Sequence, residues 1–123
     1  MASRAHVIVR ALVFAAAVSV STAPAWADQR SASKAQVEFG IKVAQNGLWK
    51  EATYRWEKAV EMDPTYAAAW NNLAIGYEHE GKFDEARQAY DKAVTLDPKN
   101  LLIRQNYDLF KEINDRQKRR NDR

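Results

Sequence analysis

The chain has 123 residues, 46% hydrophobic and 28% charged, enough for one folded domain but not for a second core of useful size. It contains no cysteine and two histidines, which excludes disulfides, thiolate metal sites and cysteine nucleophiles, and leaves little material for histidine-based chemistry. The net charge of +3 comes from the two ends of the chain. Residues 28–115 are mildly acidic, with 12 Lys and Arg against 15 Asp and Glu. The overall positive charge therefore gives no support to nucleic-acid binding.

Residues 1–27 have the pattern of a secretory signal peptide. Two arginines and no acid stand in the first ten residues, an apolar run follows over residues 11–20, and small residues precede the junction of Ala27 and Asp28. The pattern predicts cleavage between Ala27 and Asp28 and export to the periplasm or cell envelope. The apolar run is shorter than the roughly 20 residues of a membrane span, so we expect no integral membrane span in the mature form. An uncleaved N-terminal anchor is the alternative.

Two segments of the chain, residues 33–66 and residues 67–100, align with each other at an offset of 34 residues. Matched pairs are Ala35 and Ala69, Phe39 and Leu73, Gly47 and Gly81, Ala52 and Ala86, Trp56 and Tyr90, Ala59 and Ala93, and Pro64 and Pro98. So many spaced matches indicate an internal repeat.

Each repeat predicts two antiparallel helices. In the second, Trp70, Leu73 and Tyr77 are spaced as one helical face, Gly81 favours a turn, and Pro98 prevents the helix from continuing. One apolar face remains for a neighbouring unit to cover. The aromatic residues at repeat positions are expected in the core: Trp49, Trp56, Trp70, Tyr77, Phe83 and Tyr90. Tyr54 and Tyr66 lie off the pattern and are expected at the surface.

The predicted organisation is all-α. It consists of a short linker (28–32), a first unit (33–66), a second unit (67–100), a capping helix (101–118) and a basic disordered tail (119–123). The four repeat helices are expected near residues 33–46, 49–62, 67–80 and 83–96. The basic run over residues 116–123 is interpreted as a solvated helix end, with contact to anionic lipid or an acidic partner as the alternative.

The second unit resembles the tetratricopeptide repeat (TPR) family at its signature positions: Trp70, Leu73, Ala74, Tyr77, Gly81, Ala86, Tyr90, Ala93 and Pro98. The first unit is similar but departs from the family pattern at Gln36 and Val43. The resemblance implies an α-solenoid of two TPR helix-turn-helix units followed by the capping helix. It also implies a protein–protein interaction module.

In TPR proteins the first helix of each unit lines a concave groove. The resemblance implies these groove residues here: Lys34, Val37, Ile41, Gln45, Asn71, Asn72, Ile75, His79, Gln105, Asn106 and Leu109. The apolar members either contact a ligand or support the solenoid, and the amides are suited to holding a peptide backbone. Val37, Ile41 and Leu102 stand where chaperone-binding TPR domains carry carboxylate-binding residues, so that type of ligand is not expected.

We predict no catalytic site, no cofactor and no metal. The cluster formed by Glu78, His79 and Glu80 is interpreted as a solvated helix end, because adjacent helical residues point about 100° apart and no nucleophile has a place beside them. The leading hypothesis is therefore a periplasmic or envelope scaffold that binds a peptide or protein segment. The alternative is a self-associating structural envelope protein that oligomerisation stabilises, with no role for nucleic acid in either.

Overall fold

The computed structural model describes residue 22 and residues 24–123, so the charged and apolar parts of the predicted signal peptide lie outside the described residues. Within the described part, the chain forms helices and no strands. These are α1 (Ala25–Gln45), α2 (Trp49–Met62), α3 (Ala67–His79), α4 (Phe83–Leu96) and α5 (Leu101–Asn121). The predicted all-α class is confirmed.

The turns of the two units are built in the same way. Gly47 and Gly81 have φ angles of 78° and 72°, a left-handed conformation that favours glycine, and they let the chain reverse within each unit. Asp63 and Asp97 leave the helical region with φ near −140°, as expected for residues that precede a proline. The 34-residue repeat is therefore a repeat of turns as well as of helical faces.

The helices pack as two successive hairpins, α1 with α2 and α3 with α4, and α2 also contacts α3, so that the hairpins stack as an α-solenoid. Trp56 and Tyr90, which stand at equivalent positions of the two units, are the largest side chains that are almost fully buried. Fully buried alanines surround them and allow the helices to approach closely: Ala52, Ala59, Ala86 and Ala93.

The first hairpin depends on a close contact between Trp56 and α1. The indole Nε1 of Trp56 donates a hydrogen bond to the backbone oxygen of Val37 at 3.2 Å. A Cβ atom at Gly40 would collide with the same indole ring. Glycine is therefore required at position 40 by the packing of α1 on α2, although its backbone is ordinary helix.

Helix α5 covers the end of the second unit. Asn100 caps it by accepting a hydrogen bond from the backbone nitrogen of Ile103 at 3.2 Å. The rings of Tyr107 and Phe110 lie 5.3 and 5.4 Å from the ring of Tyr90. The Tyr107 hydroxyl also donates to Asp91 at 2.5 Å, and these contacts fix α5 on α4.

The expected linker at residues 28–32 is wrong, because these residues form part of α1. Arg30 holds this part of the helix in place: its Nε donates to Asp63 at 2.5 Å, and its guanidinium lies 4.7 Å from the ring of Tyr66. Burial opposes the charge of Asp63, but hydrogen bonds from Thr65 and Arg30 outweigh it and lower the pKa of this carboxyl. Tyr66, expected at the surface, is accordingly half-buried.

The expected disordered tail at residues 119–123 is also wrong, because α5 continues to Asn121. Neither glycine nor proline interrupts this stretch, and Arg116 forms an ion pair with Glu112 one turn earlier. Basic residues in the last turn interact favourably with the helix dipole.

Not every aromatic residue of the repeat pattern lies in the core. Phe83 is exposed, because it is the first residue of α4 and lines an open cleft beside the end of α5. Trp49, Trp70 and Tyr77 are half-buried, and they pack against the core from its edge.

Candidate functional site

The first helix of each hairpin and the capping helix lie side by side, since α3 contacts both α1 and α5. Asn106 of α5 donates a hydrogen bond to Asn71 of α3 at 3.2 Å and ties these two helices together. Side chains of α1 and α3 meet around a shared pocket. We call the surface formed by the free sides of α1, α3 and α5 the groove face.

An aliphatic side chain stands at the same position of each of these three helices. Ile41, Ile75 and Leu109 follow one another at intervals of 34 residues. Ile41 is 38% exposed, Ile75 is half-buried and Leu109 is 57% exposed. We call these three residues the aliphatic ladder, because they give the groove face one apolar side chain per helix.

A pocket of about 270 Å³ opens between the first two residues of the ladder. Its wall is almost entirely apolar, which suits it to a hydrophobic side chain. The lining residues are Ile41, Ala44, Gln45, Trp49, Trp56, Asn72 and Ile75. Ile75 also lines a smaller, more polar depression of about 170 Å³, together with Glu78 and His79.

Polar groups border the pocket. Asn72 donates from Nδ2 to the backbone oxygen of Ala68 at 2.8 Å, so its side-chain oxygen is oriented as an acceptor. Gln45, at the opposite edge, is exposed. An apolar cavity flanked by two amides is chemically suited to a peptide, because the cavity accommodates an apolar side chain and amides form hydrogen bonds with a peptide backbone.

Two of the predicted site residues, Val37 and Asn71, are buried. Val37 is 5% exposed, because the side of α1 that carries it packs on Trp56. Asn71 is 6% exposed, and its side-chain oxygen accepts the hydrogen bond from Asn106. Both residues therefore support the solenoid, and neither side chain is open to a ligand.

The remaining predicted residues occupy the groove face in two groups. Ile41, Gln45, Asn72 and Ile75 are brought together at the pocket. Lys34, Gln105 and Leu109 are exposed but lie outside the pocket, Asn106 is half-buried, and His79 is exposed beside Trp49.

Two aromatic residues of the pocket, Trp49 and Trp56, were not among the predicted site residues. Both belong to α2, and their rings form part of the pocket wall between α1 and α3. The repeat pattern marks them correctly as packing residues. It carries no signal that part of each ring is left facing a pocket, since that depends on the distance between two other helices.

Glu78, His79 and Glu80 each contact a different residue, so they do not form one functional cluster. Glu78 accepts a hydrogen bond of 2.5 Å from Tyr90, His79 stacks on Trp49 with ring centroids 3.4 Å apart, and Glu80 lies 3.2 Å from the Lys82 ammonium. Burial, followed by the bond to Glu78, raises the pKa of Tyr90. None of these contacts joins a base to a nucleophile.

No group of three or more histidine or acidic side chains is placed to share a metal ion among the described residues. Within the same part, none of the helices has both the length and the apolarity that crossing a bilayer requires.

A larger cleft of about 820 Å³ lies between the start of α4 and the end of α5. Its wall is more polar than apolar and includes Asp84, Glu85, Arg87 and Lys118. It is less suited to an apolar side chain than the pocket on the groove face, so we place the candidate site at the pocket.

The comparisons with known proteins agree with this architecture. Residues 67–100 match the family model described as tetratricopeptide repeat. The type IV pilus assembly protein PilF of Pseudomonas aeruginosa is 30% identical over 109 residues, which cover 81% of this chain and 43% of PilF. A solved structure of pilF from Pseudomonas aeruginosa superposes with a TM-score of 0.67 at 29% identity, covering 72% of this chain and 40% of that one.

A second solved structure shows the fold alone. The Arabidopsis OM64 TPR domain superposes with a TM-score of 0.65 at 23% identity, over 73% of this chain and 74% of that one. The chain spans only 28% to 54% of the length of the first three curated relatives that it matches. Residues 67–100 thus match the tetratricopeptide repeat, within an all-α fold that the chain shares with the solved structures of the OM64 TPR domain and pilF.

Proposed function

We propose that this protein is a protein-interaction module whose groove face binds a segment of a protein partner. The aliphatic ladder, with its apolar pocket between Ile41 and Ile75, is the observation that carries the proposal. Exposed apolar side chains arranged in a row on one face mark interaction surfaces. We propose no catalytic activity, because the titratable side chains beside the pocket make contacts with neighbouring helices.

The bound segment, in this proposal, inserts one bulky apolar side chain into the pocket. The amides of Gln45 and Asn72, on opposite sides of the opening, contact the backbone of the segment. Residues 33–66 act as the first TPR unit, residues 67–100 as the second and residues 101–118 as the capping helix. The helical turns at residues 28–32 and 119–121 extend α1 and α5 beyond these bounds.

Substitution of a pocket residue tests this proposal. Ile75→Glu places a charge in the apolar wall, and Leu101→Glu places the same charge on an exposed leucine outside the pocket. Tagged variants are crosslinked in the native cell and the captured proteins identified by mass spectrometry. We expect one set of proteins to be captured by the wild type and by Leu101→Glu but lost from Ile75→Glu. An identical set from all three chains contradicts the proposal.

We further propose that the module acts in the periplasm or at the cell envelope. The signal pattern of residues 1–27 supports this, as does the similarity to a type IV pilus assembly protein. Fractionation followed by N-terminal sequencing tests it. The expected result is a periplasmic or envelope-associated chain that begins at Asp28, and a cytosolic chain that retains residues 1–27 contradicts the proposal.

A further inference from the structure

Helix α5 has two apolar faces, and only one of them is covered. Ile103 and Phe110 are buried, and Phe110 packs on α4. On the groove face, Leu102, Leu109 and Ile113 are 63%, 57% and 48% exposed. A row of exposed apolar side chains marks an interaction surface, so we expect a partner to cover this apolar stripe.

The spacing of this stripe matches the spacing of the ladder. Leu102 and Leu109 are seven residues apart, which is about 10.5 Å along a helix. Packed helices lie about 8–10 Å apart, so successive ladder residues on α1, α3 and α5 have nearly the same separation. A helix that crosses the groove face therefore meets two neighbouring residues of the ladder with side chains seven positions apart, and α5 carries one such apolar pair, Leu102 and Leu109.

The charges on the groove face are of both signs. Lys34 and Glu38 lie one turn apart on α1, and Glu112 and Arg116 lie one turn apart on α5. A second copy of the same face therefore brings both signs to the contact and is not repelled by a like-charged surface. A surface with a strong net charge would instead favour a partner of opposite sign.

The core is also small. In the described part of the chain, eight of the fifteen buried hydrophobic residues are alanines, and few large side chains such as Trp56, Tyr90 and Phe110 are buried with them. Short solenoids are stabilised by each additional surface that they cover.

We propose that two copies of this chain pack groove face to groove face, with α5 of each copy crossing the aliphatic ladder of the other. The arrangement is a closed two-fold dimer, in which the Leu109 side chains of the two copies meet at the axis and Leu102 of one copy lies near Ile75 of the other. The inference rests on the groove face of the proposed function. It adds a mode of regulation, because the second copy covers the pocket and a partner segment must displace that copy in order to bind.

Analytical ultracentrifugation of the full chain over a range of concentrations tests the dimer. We expect a monomer–dimer equilibrium for the wild type and at least a tenfold higher dissociation constant for Leu109→Glu, because a charge replaces a central apolar contact. Leu101→Glu is the matched control, because Leu101 is exposed like Leu109 (68% against 57%) but lies beside the stripe; this change should leave the equilibrium unchanged. Circular dichroism checks that both variants fold.

The absence of native cysteine allows a second, positional test. A chain with Ile75→Cys is mixed with a chain carrying Leu102→Cys, and the mixture is oxidised. We expect a disulfide-linked heterodimer, whereas Ile75→Cys mixed with Tyr54→Cys should give none, since Tyr54 is exposed on α2 away from the groove face. Equal linkage in both mixtures overturns the arrangement.

Different results would contradict the proposed dimer and the proposed binding of a partner protein. A wild-type chain that stays monomeric at every concentration, yet captures partners through Ile75, overturns the dimer alone. A dimer that Leu109→Glu disrupts, but whose groove captures no other protein, overturns only the proposed partner binding. A dimer that survives Leu109→Glu shows that the copies meet through another surface, and it too overturns the inference.

Discussion

The hydroxyl of Tyr90 on α4 donates a hydrogen bond of 2.5 Å to the carboxylate of Glu78 on α3. Tyr90 is almost fully buried, and Glu78 lies at the edge of the groove face beside His79. One contact thus connects the centre of the core to the surface proposed to bind a partner. Hydrogen bonds to charged groups are stronger than those between neutral groups.

Tyr90→Phe removes this hydrogen bond and leaves the ring in place. We expect the free energy of unfolding to fall by about 1.5–3 kcal/mol, because the Glu78 carboxylate loses a donor in a partly buried position. Tyr54→Phe is the control: Tyr54 is exposed, and its change should stay within about 0.5 kcal/mol. Urea unfolding of both variants measures the difference, and equal losses would contradict a special role for the Tyr90 hydroxyl.

The tyrosines that bond to carboxylates should make the fold sensitive to alkali. Burial, with help from Glu57, raises the pKa of Tyr77 from 10.0 to about 12, and burial likewise raises the pKa of Tyr107. The unfolded chain therefore loses these protons first, so the stabilisation is complete below about pH 10 and is lost as the pH rises towards 12.

Unfolding free energies between pH 9 and about pH 12 check this expectation. Stability should fall over this range, and the fall should be smaller for Tyr77→Phe, which has no phenol to titrate at position 77. Comparison of variant with wild type removes the contribution of the lysines. The same slope in both chains would contradict the assignment to Tyr77.

Arg30 is predicted to hold the first turns of α1 on the rest of the fold. Arg30→Ala removes the ion pair with Asp63 and the contact with the Tyr66 ring. We expect faster hydrogen exchange of the amides before Ser33, and unchanged exchange in α3 and α4. Lys34→Ala, one turn later and exposed, is the control. Unaltered exchange at the start of α1 in Arg30→Ala would contradict the prediction.

Asn106 is predicted to fix α5 against α3. Asn106→Ala leaves the buried side-chain oxygen of Asn71 without its hydrogen bond, which costs about 1–3 kcal/mol of folding free energy. Gln105→Ala, at the neighbouring exposed position, should cost less than about 0.5 kcal/mol. Thermal unfolding of the two variants measures the difference, and a neutral Asn106→Ala would show that α5 is held by its contacts with α4 alone.

Local features of the sequence were enough to predict the helices and their order. Gly47 and Gly81 mark the turns inside the two units, and Pro64 and Pro98 end them, because these residues restrict or permit backbone angles wherever they occur. The helical spacing of apolar residues then indicates which sides face the core. The bounds of α2 and α4 agree with the residue ranges expected from this pattern.

The ends of the outer helices could not be predicted in the same way. The turns at residues 28–32 are helical because Arg30 reaches Asp63 and Thr65, which are more than 30 residues later in the chain. A periodic pattern describes only near neighbours. Contacts between residues more than 30 positions apart form only in the folded structure, where α1 packs against the end of the first hairpin.

The sequence by itself determined the repeat, the turns and the row formed by Ile41, Ile75 and Leu109, because each follows from spacing along the chain. Only the tertiary structure decided which members of the predicted groove are open. Val37 and Asn71 are buried, and Trp49 forms part of the pocket wall. The physical reason is that the exposure of a side chain depends on the distance between helices, and that distance is set by packing partners far apart in sequence.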